Sequence, residues 1–165
     1  AQQLNVDFTQ YEIDHLSLRV NTEQTAKAWL TLLLEHGSVL SDNLINGRVI
    51  YLIQLHEPLR LAQQEVDVVE LPFPKDKHYP QETWEHIEVV VPFLPNETAA
   101  EWLARIKNTF LWNQPKRFKV KTSEPKGSGE TLLNLSVAVS FLDKTQNPTC
   151  IKFHPYSIKQ IVSAV

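Results

Sequence analysis

Two histidines in this chain sit in matching surroundings. His15 lies in E-I-D-H-L-S-L-R-V at 12–20 and His86 in E-H-I-E-V-V-V at 85–91, each directly after an acidic residue. Glu70 stands between apolar neighbours in V-V-E-L-P-F-P, and C-I-K-F-H-P-Y places Lys152 and His154 two residues apart. In a strand, residues two apart share a face, so Lys152 and His154 are expected on one side of the last strand. Two imidazoles and a carboxylate converging in one cavity would make a divalent-metal site, suited to iron, manganese, nickel, cobalt or zinc. A three-ligand set leaves positions open for water or substrate. Such an ion can polarise two adjacent substrate oxygens and stabilise an enolate formed beside them. Taken singly, His15 reads as an ordinary strand histidine. Its repetition at His86, with Glu70 in an apolar run, is what brings the metal trio forward beside that reading.

The elements that must position these residues come as a repeat. His15 and His86 are 71 positions apart, and Trp29 and Trp102 are 73 apart, each tryptophan within T-A-x-x-W-L. Residues 13–20 alternate as a half-buried strand does, with Leu16, Leu18 and Val20 toward a core and His15, Ser17 and Arg19 away from it. A helix over 23–36 follows, its stripe formed by Ala26, Trp29, Leu30, Leu33 and Leu34, with Gly37 as its stop. Asn46-Gly47 is a hairpin turn, and 49–56 and 66–73 are strands. The second unit reads as strand 86–91, with His86, Glu88 and Val90 toward the cavity, then helix 97–110. Strand 117–122, a Gly-rich turn at 125–130 and strands 135–141 and 150–154 follow. Ser157 is a plausible cap for a final helix.

The expected fold is therefore α+β: two paired β-α-β-β-β modules forming a curved mixed sheet around one cavity. Residues 1–165 form a single domain, with module one over 12–74, a polar, proline-bearing linker over 75–84, module two over 85–156 and a C-terminal helix over 157–163.

Composition narrows the function classes. Hydrophobic residues at 42% and charged residues at 21% are the balance of a folded soluble chain. A net charge of −3 with no long like-charge run argues against nucleic acid and membrane surfaces as partners. Cys150 is the single cysteine, which excludes an intramolecular disulfide and a Cys-rich zinc site and suits a reducing compartment. The stretch AQQLNVDFTQ has neither the basic nor the hydrophobic region of a signal peptide, so the cytoplasm is the expected location.

Other candidates have simpler explanations. His36 closes a helix, His78 sits in the polar linker, and His56 in L-H-E-P-L is a loop histidine that could border the pocket. The basic strand K-R-F-K-V-K at 116–121 reads as a solvated edge. Its functional alternative has Arg48, Lys119 or Lys126 meeting an anionic substrate. The P-K-G-S-G turn lacks the spacing and following helix of a phosphate loop, and Trp29 and Trp102 are core by helical phase.

D-H-L-S-L-R-V, V-E-L-P-F-P and E-H-I-E-V-V-V in this order resemble the vicinal oxygen chelate superfamily of glyoxalases, epimerases, extradiol dioxygenases and bleomycin-resistance proteins. Within it, S-D-N-L-I-N-G-R (41–48), L-H-E-P (55–58), Y-P-Q-E-T-W-E-H-I-E (79–88), K-T-S-E-P-K-G (121–127) and I-K-F-H-P-Y-S-I (151–158) are similar to the bacterial YecM family across nearly the whole chain. The resemblance implies a metal-binding fold with His15, Glu70 and His86 as ligands. Glyoxalase-like enzymes usually carry a glutamate at the fourth position, where this chain has Ile151-Lys152-Phe153 followed by His154. His154 is then the expected fourth ligand. Lys152 is the expected catalytic residue, pairing with a substrate carboxylate or acting as a base, or else simply an ion-pair partner of Glu88 or another pocket acid. The function expected is a metal-dependent isomerase, epimerase, lyase or dioxygenase acting on a small oxygenated substrate. The alternative is a non-catalytic small-molecule-binding protein of the same fold.

Overall fold

Alternating apolar residues build the strands, and two amphipathic stretches interrupt them. In order, the elements are β1 (Glu12–Arg19), α1 (Glu23–Glu35), β2 (Gly37–Ser41), β3 (Leu44–Ile45), β4 (Arg48–Leu61), β5 (Gln64–Pro72), β6 (Thr83–Val90), α2 (Ala99–Phe110), β7 (Phe118–Ser123), β8 (Ser136–Phe141), β9 (Cys150–His154) and α3 (Ile158–Ser163). The structure, a computed structural model, describes residues 7–110, 117–125, 129–145 and 147–164. Lys116, Lys126 and most of the P-K-G-S-G turn, among the expectations above, lie outside the described residues.

The strands join in one curved, open mixed sheet in the order β2-β4-β5-β1-β6-β9-β8-β7, with β3 pairing onto β4. That order is a mirror about the β1–β6 seam. In each half the first strand lies at the centre, then the last, then the one before it, and the second strand forms the edge. β1 and β6 pair antiparallel, whereas β1–β5 and β6–β9 are parallel. The expected α+β architecture of two β-α-β-β-β units is thus the one observed, with β3 as an added short strand.

One face of the sheet buries α1 and α2 in two clusters. Leu18, Val20, Ala26, Leu33, Ile53, Val69 and Leu71 pack under α1. Under α2, Val89, Trp102, Ile106, Phe110, Val137 and Phe153 form the second cluster. Trp102 is wholly buried and donates its indole N–H to the Val91 carbonyl at 2.7 Å, which satisfies its polar edge. Thr22 caps α1 by accepting from the Thr25 amide at 3.0 Å. The stripe expected on α1 is narrower than read: Leu34 is exposed and Trp29 only partly buried.

Two boundaries have a physical cause. Gly37 both ends α1 and begins β2, where a Cβ would strike the Gln54 carbonyl of β4, so no larger side chain fits between these strands. Asn46 and Gly47 both take positive φ (52° and 78°), as a two-residue hairpin between β3 and β4 requires. No helix among the described residues is long and apolar enough to cross a membrane.

Candidate metal centre

The sheet face opposite α1 and α2 carries the polar residues. His15, Ser17 and Arg19 of β1 and His86 and Glu88 of β6 are all buried there. Antiparallel pairing sets His15 opposite Glu88 and Ser17 opposite His86. On the flanks, Glu70 pairs with Ser17, and Lys152 pairs with Glu88. These last two pairs are counterparts in the two halves. Ser17 answers to Glu88 and Glu70 to Lys152, so the first unit carries its acid on its terminal strand and the second on its first strand.

Both imidazoles converge on carboxylates. His15 Nε2 lies 3.4 Å from Glu88 Oε2 and 3.7 Å from Glu70 Oε2. His86 Nε2 lies 3.0 Å from Glu88 Oε1 and 3.9 Å from Glu70 Oε1. His154 Nε2 closely approaches Glu88 Oε2, and Lys152 Nζ is 3.5 Å from Glu88 Oε1. The structure therefore brings all five anticipated residues together, His15, Glu70, His86, Lys152 and His154, and adds Glu88 at their centre.

The other ring nitrogen of each histidine is held in place. His15 Nδ1 meets Asp14 Oδ2 at 2.7 Å, and His86 Nδ1 meets Glu85 Oε2 at 2.5 Å. His154 Nδ1 meets the Asn134 side-chain oxygen at 3.1 Å. Strict alternation would point Asp14 and Glu85 away from their neighbours. Instead, each is the extra residue of a β-bulge: the register steps past Asp14 between Ile13 and His15, and past Glu85 between His86 and Trp84. A bulge re-aims one side chain, and here it does so at matching positions in both halves. Carboxylates that orient a histidine and raise its basicity are a recurring second layer around metals. Asp14 Oδ2 also accepts the Ile158 amide of α3 at 2.8 Å, which fixes it further.

Glu70 is held by Ser17 Oγ–H at 2.7 Å and by Arg19 Nη1 at 3.3 Å. Burial works against charge on Glu88, Glu70, His15 and Lys152, but their partners outweigh it. For Glu88 these are His15, His154 and Lys152, and for Glu70 chiefly His15 and Arg19; both carboxyls fall well below their usual range. Glu88, Asp14 and Glu70 hold the His15 imidazole well above its usual value. Glu88 and Glu70 likewise raise Lys152, which keeps it an ammonium and fits pairing with an anion rather than service as a base.

The donor set suits an ion. Nitrogen and oxygen ligands about 2.0–2.2 Å from a tetrahedral zinc stand roughly 3.3–3.6 Å from one another. The four His–Glu separations, from 3.0 to 3.9 Å, bracket that spacing. His15 Nε2 and His154 Nε2 are buried with no hydrogen bond of acceptable geometry among the described residues. Buried carboxylates in such company are paired with cations or coordinate metals. A second grouping, Glu85, His86 and Cys150, is less apt. Burial pushes the Cys150 thiol up to about 11, and Glu85 is engaged by His86 Nδ1.

Above the carboxylates opens a cavity of about 320 Å³, reached by Glu70, Glu88, Lys152, His154 and Arg19. Arg48 lines it, as the anion reading anticipated, whereas Lys119 does not. His56 borders a different groove, beside Trp84 and Leu32, and His36 and His78 are exposed away from the centre. Sequence reasoning placed Glu88 toward the cavity but did not count it as a ligand. The available signal was its spacing of two from His86 on an alternating strand.

A mirrored pair of β-α-β-β-β units around a buried cluster of histidines and glutamates defines the class of protein. The chain belongs to the YecM family, whose model, described as YecM protein, matches residues 1–164. It is 43% identical over 164 residues to Protein YecM of Escherichia coli strain K12, covering 99% of this chain and 84% of that one. An uncharacterized protein of Haemophilus influenzae is 58% identical over 160 residues, covering 97% of this chain and 83% of the relative. A solved structure described as "Structural Genomics, Protein EC4020" superposes with a TM-score of 0.79 at 38% identity, covering 98% of this chain and 81% of that one.

Proposed function

We propose that the protein binds one divalent cation through His15 Nε2, His86 Nε2, Glu70 and Glu88, with His154 beside Glu88 as a further donor. One observation carries this reading. Four ligand-type separations of 3.0–3.9 Å link two buried histidines to the buried Glu88 and the half-buried Glu70, and one of the two imidazole nitrogens has no hydrogen bond among the described residues. The bound ion would supply Lewis-acid polarisation to two adjacent oxygens of a small substrate. The chain's own residues do the rest: Asp14 and Glu85 orient the imidazoles, Ser17 and Arg19 fix Glu70, and Lys152 offers a fixed positive charge at the cavity floor. The mirrored strand order and the matching of His15 with His86 support the vicinal oxygen chelate superfamily as the wider relationship, and metal-dependent isomerase or oxygenase chemistry as the activity class.

Titration of zinc, manganese or cobalt into chelator-stripped, untagged protein tests the reading by calorimetry. His15→Ala and His86→Ala should abolish tight binding, and Glu70→Gln should weaken it strongly. Equal affinity in His15→Ala and wild type would overturn it.

A further inference from the structure

The charges lining the cavity differ in what they already hold. Arg19 is occupied: its Nη1 donates to Ser17 Oγ at 2.6 Å, the Leu18 carbonyl at 2.9 Å and Glu70 at 3.3 Å. Lys152 lies on the floor against Glu88 with a quarter of its side chain still open to the cavity. Arg48, half-buried at the start of β4, and Lys121, exposed on β7, come from opposite halves of the molecule and line the same cavity. Neither side chain makes a hydrogen bond or ion pair with any other described residue. The acids at the mouth, Glu124 and Glu130, are each engaged with a neighbour. Between floor and mouth the wall includes Ile50, Leu52 and Ile158.

From this arrangement we infer that the ligand of the cavity is a short organic dianion: an acid whose carboxylate and adjacent oxygen face the floor, and whose second anionic group, carboxylate or phosphate, is held by Arg48 and Lys121. The inference rests on the metal reading for the orientation of the head group and goes beyond it in naming the substrate class. Size agrees with charge. A cavity of about 320 Å³ has room for a short diacid or phosphoacid spanning from the floor to Arg48 and Lys121. Unpaired guanidinium and ammonium groups facing one cavity from two sides present the donors that bind such an anion. A neutral or singly charged ligand would leave them unused.

The test compares binding of malate, 3-phosphoglycerate and lactate to the full chain by calorimetry, with metal content measured in the same samples. Two partly exposed ion pairs together are worth about tenfold in affinity. Wild-type protein should therefore bind malate or 3-phosphoglycerate about tenfold tighter than lactate, and the stronger of the two identifies the second group. Arg48→Gln combined with Lys121→Gln should erase that preference while leaving lactate affinity, metal stoichiometry and melting temperature unchanged. Dianions bound no better than lactate, or a preference that survives the double substitution, would overturn the inference. If the protein takes up no metal, the metal reading fails on its own. The same comparison on the metal-free protein then decides the cation pair, because preference for the dianions and its loss in the double variant do not require the ion.

Discussion

Glu88→Gln removes one negative charge while preserving shape, and its consequences can be worked out from the geometry. Glu88 touches His86 Nε2 at 3.0 Å, His15 Nε2 at 3.4 Å and Lys152 Nζ at 3.5 Å, and also approaches His154. Breaking a buried ion pair by removing one partner costs about 3–5 kcal/mol. The lower end applies here, because Lys152 retains some solvent and His15 can release its proton once the Glu88 charge is gone. In chelator at neutral pH, the variant should lose about 3 kcal/mol in urea unfolding. The folded-state pKa of Glu88 is depressed below its unfolded value. Its stabilisation is therefore fully present above the unfolded carboxylate range, about pH 4.3, and is lost as pH falls through the depressed value. The gap between wild type and variant should close in strong acid, where a protonated glutamate resembles glutamine. With metal present the gap at neutral pH should widen, since wild type gains from binding what the variant cannot. A variant as stable as wild type in chelator at neutral pH, or a gap indifferent to acid, would refute the reasoning.

Other outcomes follow from the same contacts. Leu18→Ala, at a wholly buried position under α1, should cost about 2–5 kcal/mol in urea unfolding with metal affinity retained; a cost near zero would contradict the core assignment. Asp14→Asn and Glu85→Gln should each weaken metal binding about 10–100-fold in competition with a chromophoric chelator, whereas unchanged affinity would remove the orienting role. His154→Ala should reduce metal affinity and Lys152→Ala should leave it intact; unchanged affinity in His154→Ala would confine the centre to His15, Glu70, His86 and Glu88.

The repeat made most of the architecture readable. T-A-x-x-W-L after each histidine strand marks α1 and α2, and period-2 alternation separates Leu18 and Val89, which pack under the helices, from His15 and Glu88 on the other face. What alternation cannot show is where it breaks. The bulges at Asp14 and Glu85 depend on pairing between β1 and β6, a contact between residues far apart in the chain. Without them the acid before each histidine reads as facing the other way. The importance of Glu88 was hidden for a related reason. Lys152 at the expected acidic position reads as a missing ligand until the register of β6 with β9 sets Glu88 beside it. The reach of β4 to Leu61 was also illegible: after Gln54 the hairpin with β5 shifts register and resumes at Leu59 opposite Val66, in a stretch whose exposed residues carry no alternation.

The position of a bound metal decides whether His15, His86, Glu70 and Glu88 form one centre. Untagged protein crystallised after loading with zinc, and measured at the zinc absorption edge, should show one anomalous peak per chain. That peak should lie about 2.0–2.2 Å from the Nε2 atoms of His15 and His86 and from oxygens of Glu70 and Glu88. No peak in loaded crystals, or a peak held instead by Glu85, the Nδ1 of His86 and Cys150, would contradict it.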